Sequence, residues 1–272
     1  MLTSVDRRGI ATLTLNRPEV HNAYDGDLID GLIDAVASLA ADHRVRLLIL
    51  RGNGKHFQAG ADLAWLKKVA GFDLADNLAF SRQTTEAMRG LNAFPHPTIA
   101  LVHGACFGGG IGMVACCDVR IATRSASFGL TEVRWGVIPA PIMPQLCAAM
   151  GIASLRRYGI TGERFDAEEA RRIGLLHEVC AEEGLDAAAA PIIEAILKGA
   201  PDAIRQSKQL VLSYAGLDLS DQDVEALAAQ GAAKRASAEA AEGLSSFEQR
   251  RDPAWYQTAR PPKSRKKSGK KR

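Results

Sequence analysis

Residues 10–16 alternate, with Ala11, Leu13 and Leu15 on one side of the chain. A period of two predicts a strand covered on one face, ended by Arg17-Pro18. The apolar spacing then changes to three and four at Leu28, Leu32, Ile33, Val36 and Leu39, which predicts a helix with Asp25 as its cap. Residues 47–50 are apolar at every position, the pattern of a strand covered on both faces. Gly52-Asn53-Gly54-Lys55 reads as a turn, and residues 56–63 as a loop that opens a helix. A longer helix over 71–92 is stopped by Pro95 and Pro97.

Residues 99–102 repeat the buried-strand pattern. Gly108-Gly109-Gly110 and an apolar run over 111–117 follow, read as a turn and a buried helix. A strand is predicted at 119–122, helices at 140–150, 152–158 and 166–173 with Gly174 as a stop, and a strand at 175–179. Beyond 185 the spacing is only helical: 185–197, a helix begun by Pro201 and ending at 214, one capped by Ser220 or Asp221 and running to about 241, and a last one at 244–249. The chain therefore reads as α/β over 1–195, helical over 196–258, and a tail over 259–272.

At 272 residues with 47 % hydrophobic content, the chain can build one large α/β core with a helical annex. No apolar run reaches transmembrane length, and the N-terminus lacks the apolar core of a signal peptide. Cys106, Cys116, Cys117, Cys147 and Cys180 are odd in number and without metal-ligand spacing, which predicts a reduced cytoplasmic protein with no metal. The net charge of +3 hides an asymmetry. Eight of the 34 Lys and Arg lie in 260–272 with no acid among them, leaving 26 against 31 Asp and Glu in the body, a balance of −5. Composition predicts a solvated basic tail; RNA is a weaker expectation for it, since it has no aromatic residue to stack bases.

The strand, glycine turn and helix around Gly108 to Gly110 leave backbone N–H groups free at the helix start, although glycines there also permit simple close packing. There is no P-loop lysine, dinucleotide fingerprint, zinc spacing or nucleophile elbow. His56 and His103 read as structural, and Asp62 as a cap and loop anchor.

Two glycine-bearing loops, Phe57-Gln-Ala-Gly-Ala-Asp62 and His103-Gly-Ala-Cys-Phe-Gly-Gly-Gly110, each open a helix. Around them stand Asn16-Arg17-Pro18 with Asn22-Ala23, Phe128-Gly-Leu-Thr-Glu132 through Gly136-Val-Ile-Pro139, and Thr161-Gly162 with Ala170-Arg-Arg-Ile-Gly-Leu-Leu176. In this order they resemble the motifs of the enoyl-CoA hydratase/isomerase (crotonase) family over residues 10–258. The resemblance implies a crotonase-like spiral of βαβ units, two nearly perpendicular sheets and a C-terminal helical oligomerisation region. It also implies homotrimers or hexamers and an acyl-CoA substrate, with coenzyme A arriving as part of that substrate and no cofactor permanently bound. By motif position, the N–H groups of Ala61 and Gly109 would hold the thioester oxygen, and Glu132 would be the catalytic carboxylate. Ala59, Gly60, Ala61, Asp62 and Leu63 would line the coenzyme pocket, with His21 as a candidate for its entry. Backbone donors suit this chemistry because proton transfer beside a thioester pushes charge onto its oxygen, and prepositioned donors bind that enolate better than the ground state.

Hydratases of the family place a first glutamate two residues after the third glycine, which is Gly112 here. Water addition needs a base for the water and an acid for C2, and one carboxylate can serve both only through the same water. Moving a double bond needs one base. The surrounding residues, 112–118, 130–140 and Ile142-Met-Pro144, nevertheless resemble a bacterial branch that also lacks the first glutamate. That branch hydrates 3-methylglutaconyl-CoA and isohexenylglutaconyl-CoA type esters in leucine and acyclic terpene breakdown. Hydratase is therefore the first expectation, Δ3,Δ2-isomerase the second, and a lapsed enzyme serving as an RNA-binding or scaffold protein the third. Two finer expectations follow: the missing side chain at 112 leaves room for a β-branched acyl group, and Arg134 meets a distal carboxylate if it points inward.

Overall fold

The computed structural model describes residues 1–256, so the basic tail lies outside the described residues. The chain begins β1 (Leu2–Val5), β2 (Ile10–Leu15), α1 (Gly26–Ala41), β3 (Leu47–Gly52), α2 (Leu63–Ala70) and α3 (Leu74–Asn92). Next come β4 (Thr98–Val102), β5 (Ala105–Phe107), α4 (Gly109–Ala115), β6 (Val119–Thr123), β7 (Ser127–Gly129) and α5 (Met143–Thr161). It closes with β8 (Arg164–Asp166), α6 (Ala167–Arg172), β9 (Glu178–Cys180), α7 (Leu185–Lys198), α8 (Pro201–Tyr214), α9 (Asp221–Arg235) and α10 (Ala238–Glu248).

A six-stranded sheet runs in the order β1-β2-β3-β4-β6-β9, parallel except for β1 against β2. A second sheet joins β5, β7 and β8. In β2, Ala11, Leu13 and Leu15 are buried as the alternation predicts. In β3, Leu48 and Leu50 pack with Leu28, Met88 and Leu91 from α1 and α3, while Leu47 and Ile49 pack against Leu185 and Ala189 of α7. Helices therefore cover both faces of this parallel strand, the reason all four positions are apolar. Asp25 caps α1, its carboxylate accepting the Leu28 N–H at 2.9 Å.

Several expectations are corrected. The helix expected from 220 to 241 divides into α9 and α10, because the Ser237 hydroxyl accepts the Ala240 N–H at 3.2 Å and caps a new start. The strand expected at 175–179 begins only at Glu178, with Leu175 and Leu176 packed in the core instead. A second sheet was implied by the resemblance, but its strands were not located in the sequence: each has three residues, too few to show a period. The division expected at 195/196 falls inside α7.

The annex folds back over its own chain. Arg82 of α3 pairs with Glu225 of α9, and Arg89 Nη1 lies 2.7 Å from Asp221. On α10, Phe247 packs on Trp135 with ring centroids 4.7 Å apart. Gly243 meets the same turn so closely that a Cβ there would lie 2.4 Å from the Trp135 carbonyl carbon. These helices thereby wall the region around Glu132.

Candidate active site

The first loop is held by Asn22, a buried residue with left-handed backbone (φ 56°). Its side-chain N–H2 donates to the carbonyls of Asn53 (2.8 Å), His56 (2.9 Å) and Phe57 (3.1 Å), while its oxygen accepts the Arg17 N–H at 2.8 Å. Arg17 also reaches Asp25 at 2.9 Å and Asp62 at 3.1 Å. The N-terminal motif is thus a clamp on the loop. Asp62 caps α2 by accepting from Ala64 N (2.8 Å) and Trp65 N (3.2 Å), as a cap and anchor should.

Within the loop, the Gln58 amide accepts the Gly60 N–H and donates to the Gly60 carbonyl, both at 2.8 Å, fixing Gly60 at φ 93°. Tyr24 N–H donates to the Gly60 carbonyl at 2.9 Å, and Asp62 N–H donates to the Tyr24 carbonyl at 2.8 Å. In extended backbone, successive groups face opposite sides. The Ala61 N–H between those two contacts therefore faces away from Tyr24, and it has no acceptor among the described residues. The second loop presents its own donor. Gly108 (φ 52°) gives its N–H to the Gly129 carbonyl at 3.0 Å, and Gly109, first residue of α4, has no acceptor for its N–H among the described residues. The glycines are also packing requirements: a Cβ at Gly109 would lie 2.8 Å from the Tyr24 ring, and one at Gly110 would lie 2.5 Å from Gln58 Oε1. Both readings of the glycine run hold at once.

Glu132 opens a 3-10 turn, Glu132–Trp135, after β7. Its carboxyl rests on Gly108, where a Cβ would stand 3.1 Å from Oε1. The residue is half-buried, but Oε2 is fully enclosed and has no hydrogen-bond partner among the described residues. Loss of hydration pushes its pKa up to about 7 from the ordinary 4.5, against a smaller lowering by its own backbone amide. The native state therefore holds a proton that the unfolded chain releases as pH rises from about 4.5 to about 7. Stability from this group is greatest below 4.5 and is lost as pH rises through about 7. Glu132→Gln should accordingly raise the melting temperature at pH 8 and leave it near wild type at pH 4.5. Equal shifts at both pH values in thermal scans would contradict a buried, raised carboxyl.

A cavity of about 80 Å³ gathers Ala61, Gly109, Glu132, Tyr24, Ile142 and Arg235. A larger groove of about 610 Å³ is lined by His21, Ala59, Asp62, Arg134, Arg164 and Arg251 among others. Ala61, Thr131 and Trp135 border both, so the groove leads to the cavity. The structure brings Ala61, Gly109 and Glu132 together as expected, with Gly60 also in the cavity wall. Leu63 opens α2, and its side chain lies outside the described part of the structure. His56 accepts the Ala105 N–H at 3.0 Å through Nδ1, and His103 contacts the Gly54 carbonyl at 2.9 Å, so both are tied into the loops.

Two expectations are overturned. A Cβ at Gly112 would lie 2.3 Å from Ile142 Cγ2 and 2.8 Å from its Cβ, so the place of the first glutamate is filled by isoleucine and offers no extra room. Arg134 lines the groove rather than the cavity; the arginine in the cavity is Arg235, from α9. Sequence reasoning gave no site role to Tyr24, Ile142 or Arg235. Tyr24 stands two residues past the Asn22 clamp and Ile142 within the branch motif, while Arg235 lies near none.

The enoyl-CoA hydratase/isomerase family model matches residues 6–258. A putative enoyl-CoA hydratase of Thermus thermophilus is 31 % identical over 252 residues, 93 % of this chain and 99 % of that protein. A Dictyostelium discoideum mitochondrial Δ(3,5)-Δ(2,4)-dienoyl-CoA isomerase is 28 % identical over 258 residues, 91 % of this chain and 88 % of its own length. The crystal structure of an enoyl-CoA hydratase from Shewanella pealeana superposes with a TM-score of 0.76 at 38 % identity, covering 93 % of this chain and 94 % of that one. With its spiral core, its two loops and Glu132 in register with that family's order, the chain belongs to the enoyl-CoA hydratase/isomerase family.

Proposed function

We propose that the protein adds water across the C2=C3 bond of a 2-enoyl-CoA thioester, the acyl group being of the 3-branched glutaconyl type. One observation carries this reading: an enclosed, unpartnered carboxyl, Glu132, shares a cavity with two uncommitted N–H groups, those of Ala61 and Gly109. The thioester oxygen would accept from both N–H groups. Ionised Glu132 takes a proton from water as the water oxygen bonds to C3, and the C2=C3 electrons move onto the thioester oxygen. Glu132 then gives the proton to C2, the carbonyl re-forms, and the carboxylate is restored. Its raised pKa suits both halves, because a group near neutrality gains and loses a proton at little cost.

The groove suits coenzyme A, its arginines and His21 offering donors to phosphate and its loop residues offering backbone contact. Coenzyme A would come and go with the substrate, with no resident cofactor. Exposed Leu210, Val211 and Tyr214 on α8 support the proposed homotrimer or hexamer. No described helix is long and apolar enough to cross a membrane, and the five free cysteines support a reduced, cytoplasmic setting.

Isomerisation of a 3-enoyl-CoA is the second reading, favoured by Ile142 in the place of a second carboxylate. There Glu132 would take a proton from C2 and return it at C4. The assay is a panel of 2-enoyl- and 3-enoyl-CoA esters, including 3-methylglutaconyl-CoA, with products identified by mass and double-bond position. Gain of one water is expected from 2-enoyl esters. Shifted double bonds without any 3-hydroxyacyl product would replace the hydratase reading with the isomerase one. An RNA-binding or scaffold role would be favoured by turnover of no ester.

A further inference from the structure

Among the described residues, the cavity around Glu132 is lined by one arginine and neither lysine nor histidine. Arg235 enters it from the last turn of α9. Its guanidinium lies 5.1 Å over the Phe80 ring. Nη1 donates to Ser81 Oγ at 3.0 Å and lies 3.4 Å from Asn77 Oδ1. Those contacts hold the group in one orientation while using a single nitrogen. Nε and Nη2 have no acceptor among the described residues, and no described carboxylate forms an ion pair with Arg235. Arg82 and Arg89, on the helix that α9 packs against, pair with Glu225 and Asp221.

Arg235 is half-buried and an arginine remains charged, so the hydration it has lost is best compensated by an anion or by further acceptors. Here burial lowers the guanidinium pKa, and Tyr24 gives only slight relief. The free Nε–Nη2 edge has two parallel N–H groups, the arrangement that receives both oxygens of a carboxylate. Glu132 is not that partner, since its Oε2 is unpartnered too. Tyr24 lines the same cavity, near enough to both groups to feel the charge of each. Arg235 is also absent from the groove that suits the coenzyme, so its partner belongs to the acyl end of the ligand.

We propose that Arg235 is the specificity-determining anchor for a carboxylate at the far end of the acyl chain. The inference rests on the acyl-CoA reading of the site and replaces Arg134 as the residue that reads a dicarboxylic acyl group. The thioester is held at Ala61 and Gly109, and the carboxylate at the meeting of α3 and α9. A chain between these two points is fixed at both ends, so its reacting carbons are held beside Glu132. A neutral acyl chain would leave the guanidinium unpaired and bind less well.

Binding of unreactive saturated esters tests the anchor separately from the reaction. Calorimetric titration would compare glutaryl-CoA with pentanoyl-CoA, which replaces the carboxylate by a methyl group. The wild-type protein should bind glutaryl-CoA on the order of 100-fold more tightly, the scale of a buried charge pair. Arg235→Met keeps much of the packing on Phe80, and should lose that preference by weakening glutaryl-CoA alone. Arg235→Lys, which keeps the charge without the two-pronged edge, should retain part of it and serves if the methionine variant does not fold. Equal affinities in the wild type would overturn the anchor, as would equal weakening of both esters in either variant, the mark of a merely structural arginine. A carboxylate preference in a protein that hydrates no enoyl ester would sustain the anchor while rejecting the hydratase reaction. If neither ester binds, the acyl-CoA reading itself fails and the anchor with it.

Discussion

Glu132→Gln is expected to lower turnover of the protein's enoyl-CoA ester by roughly 1000-fold, with affinity for a saturated acyl-CoA within about threefold of wild type. The split follows from geometry. The carboxyl lies beside Gly108 and faces the cavity, whereas the groove is lined by other residues. In the proposed reaction glutamine keeps the size of the side chain and loses the ability to carry a proton between water and C2. The donors of Ala61 and Gly109 remain to hold the thioester in that reading. Steady-state kinetics with equilibrium binding on the same preparation separates the two effects. Wild-type pH dependence supplies a second check: kcat/KM should fall about tenfold per pH unit below about 7, where Glu132 gains its proton. Near-normal turnover in the glutamine variant would remove Glu132 from the reaction.

Gly112→Glu should destabilise the protein by about 3–5 kcal/mol, a fall in melting temperature of roughly 10 °C, without raising hydration. The substitution would restore the carboxylate that Gly112 replaces, but the space is taken. Its Cβ would stand 2.3 Å from Ile142 Cγ2 and 2.8 Å from Ile142 Cβ, and the latter atom is fixed to the backbone. Ile142 is itself buried in the core, so a rotamer change cannot clear the site. A charge placed there would also lose its hydration. Coupled substitution should behave differently: Gly112→Glu with Ile142→Ala should melt above Gly112→Glu alone, although Ile142→Ala by itself removes about 2–4 kcal/mol. Thermal melts of the three variants check the coupling. A wild-type melting temperature for Gly112→Glu would show that Ile142 yields.

The Ile142 contact changes how the missing carboxylate is understood. A glycine in an apolar helix reads as vacant space, and vacancy at 112 suggested room for a branched acyl group. The cavity is instead closed there by a β-branched side chain from the segment just before α5. In the proposed reading acyl selectivity comes from other walls, and among the cavity's described residues Arg235 is the cationic one. The annex has a corresponding role. Expected as a helical region for subunit contacts, it packs α9 and α10 on its own chain and supplies both Arg235 and the Phe247 support of Trp135.

Local spacing and residue type were enough to read much of the chain. Alternation at Ala11, Leu13 and Leu15, four apolar residues at 47–50, and Asp25 ahead of α1 each have a single satisfactory local structure. The glycine loops were legible for a related reason: a positive φ at Gly60 and Gly108, and a backbone donor at a helix start, demand particular residues at fixed offsets, whereas Glu132 was legible only through the resemblance of the motif that carries it. The folded chain settled what fills Gly112, which arginine lines the cavity, and how the three-residue strands pair. Those outcomes are contacts between segments far apart in the chain. Such contacts leave no period in either segment, and a half-buried arginine at the end of a helix looks in sequence like any solvated one.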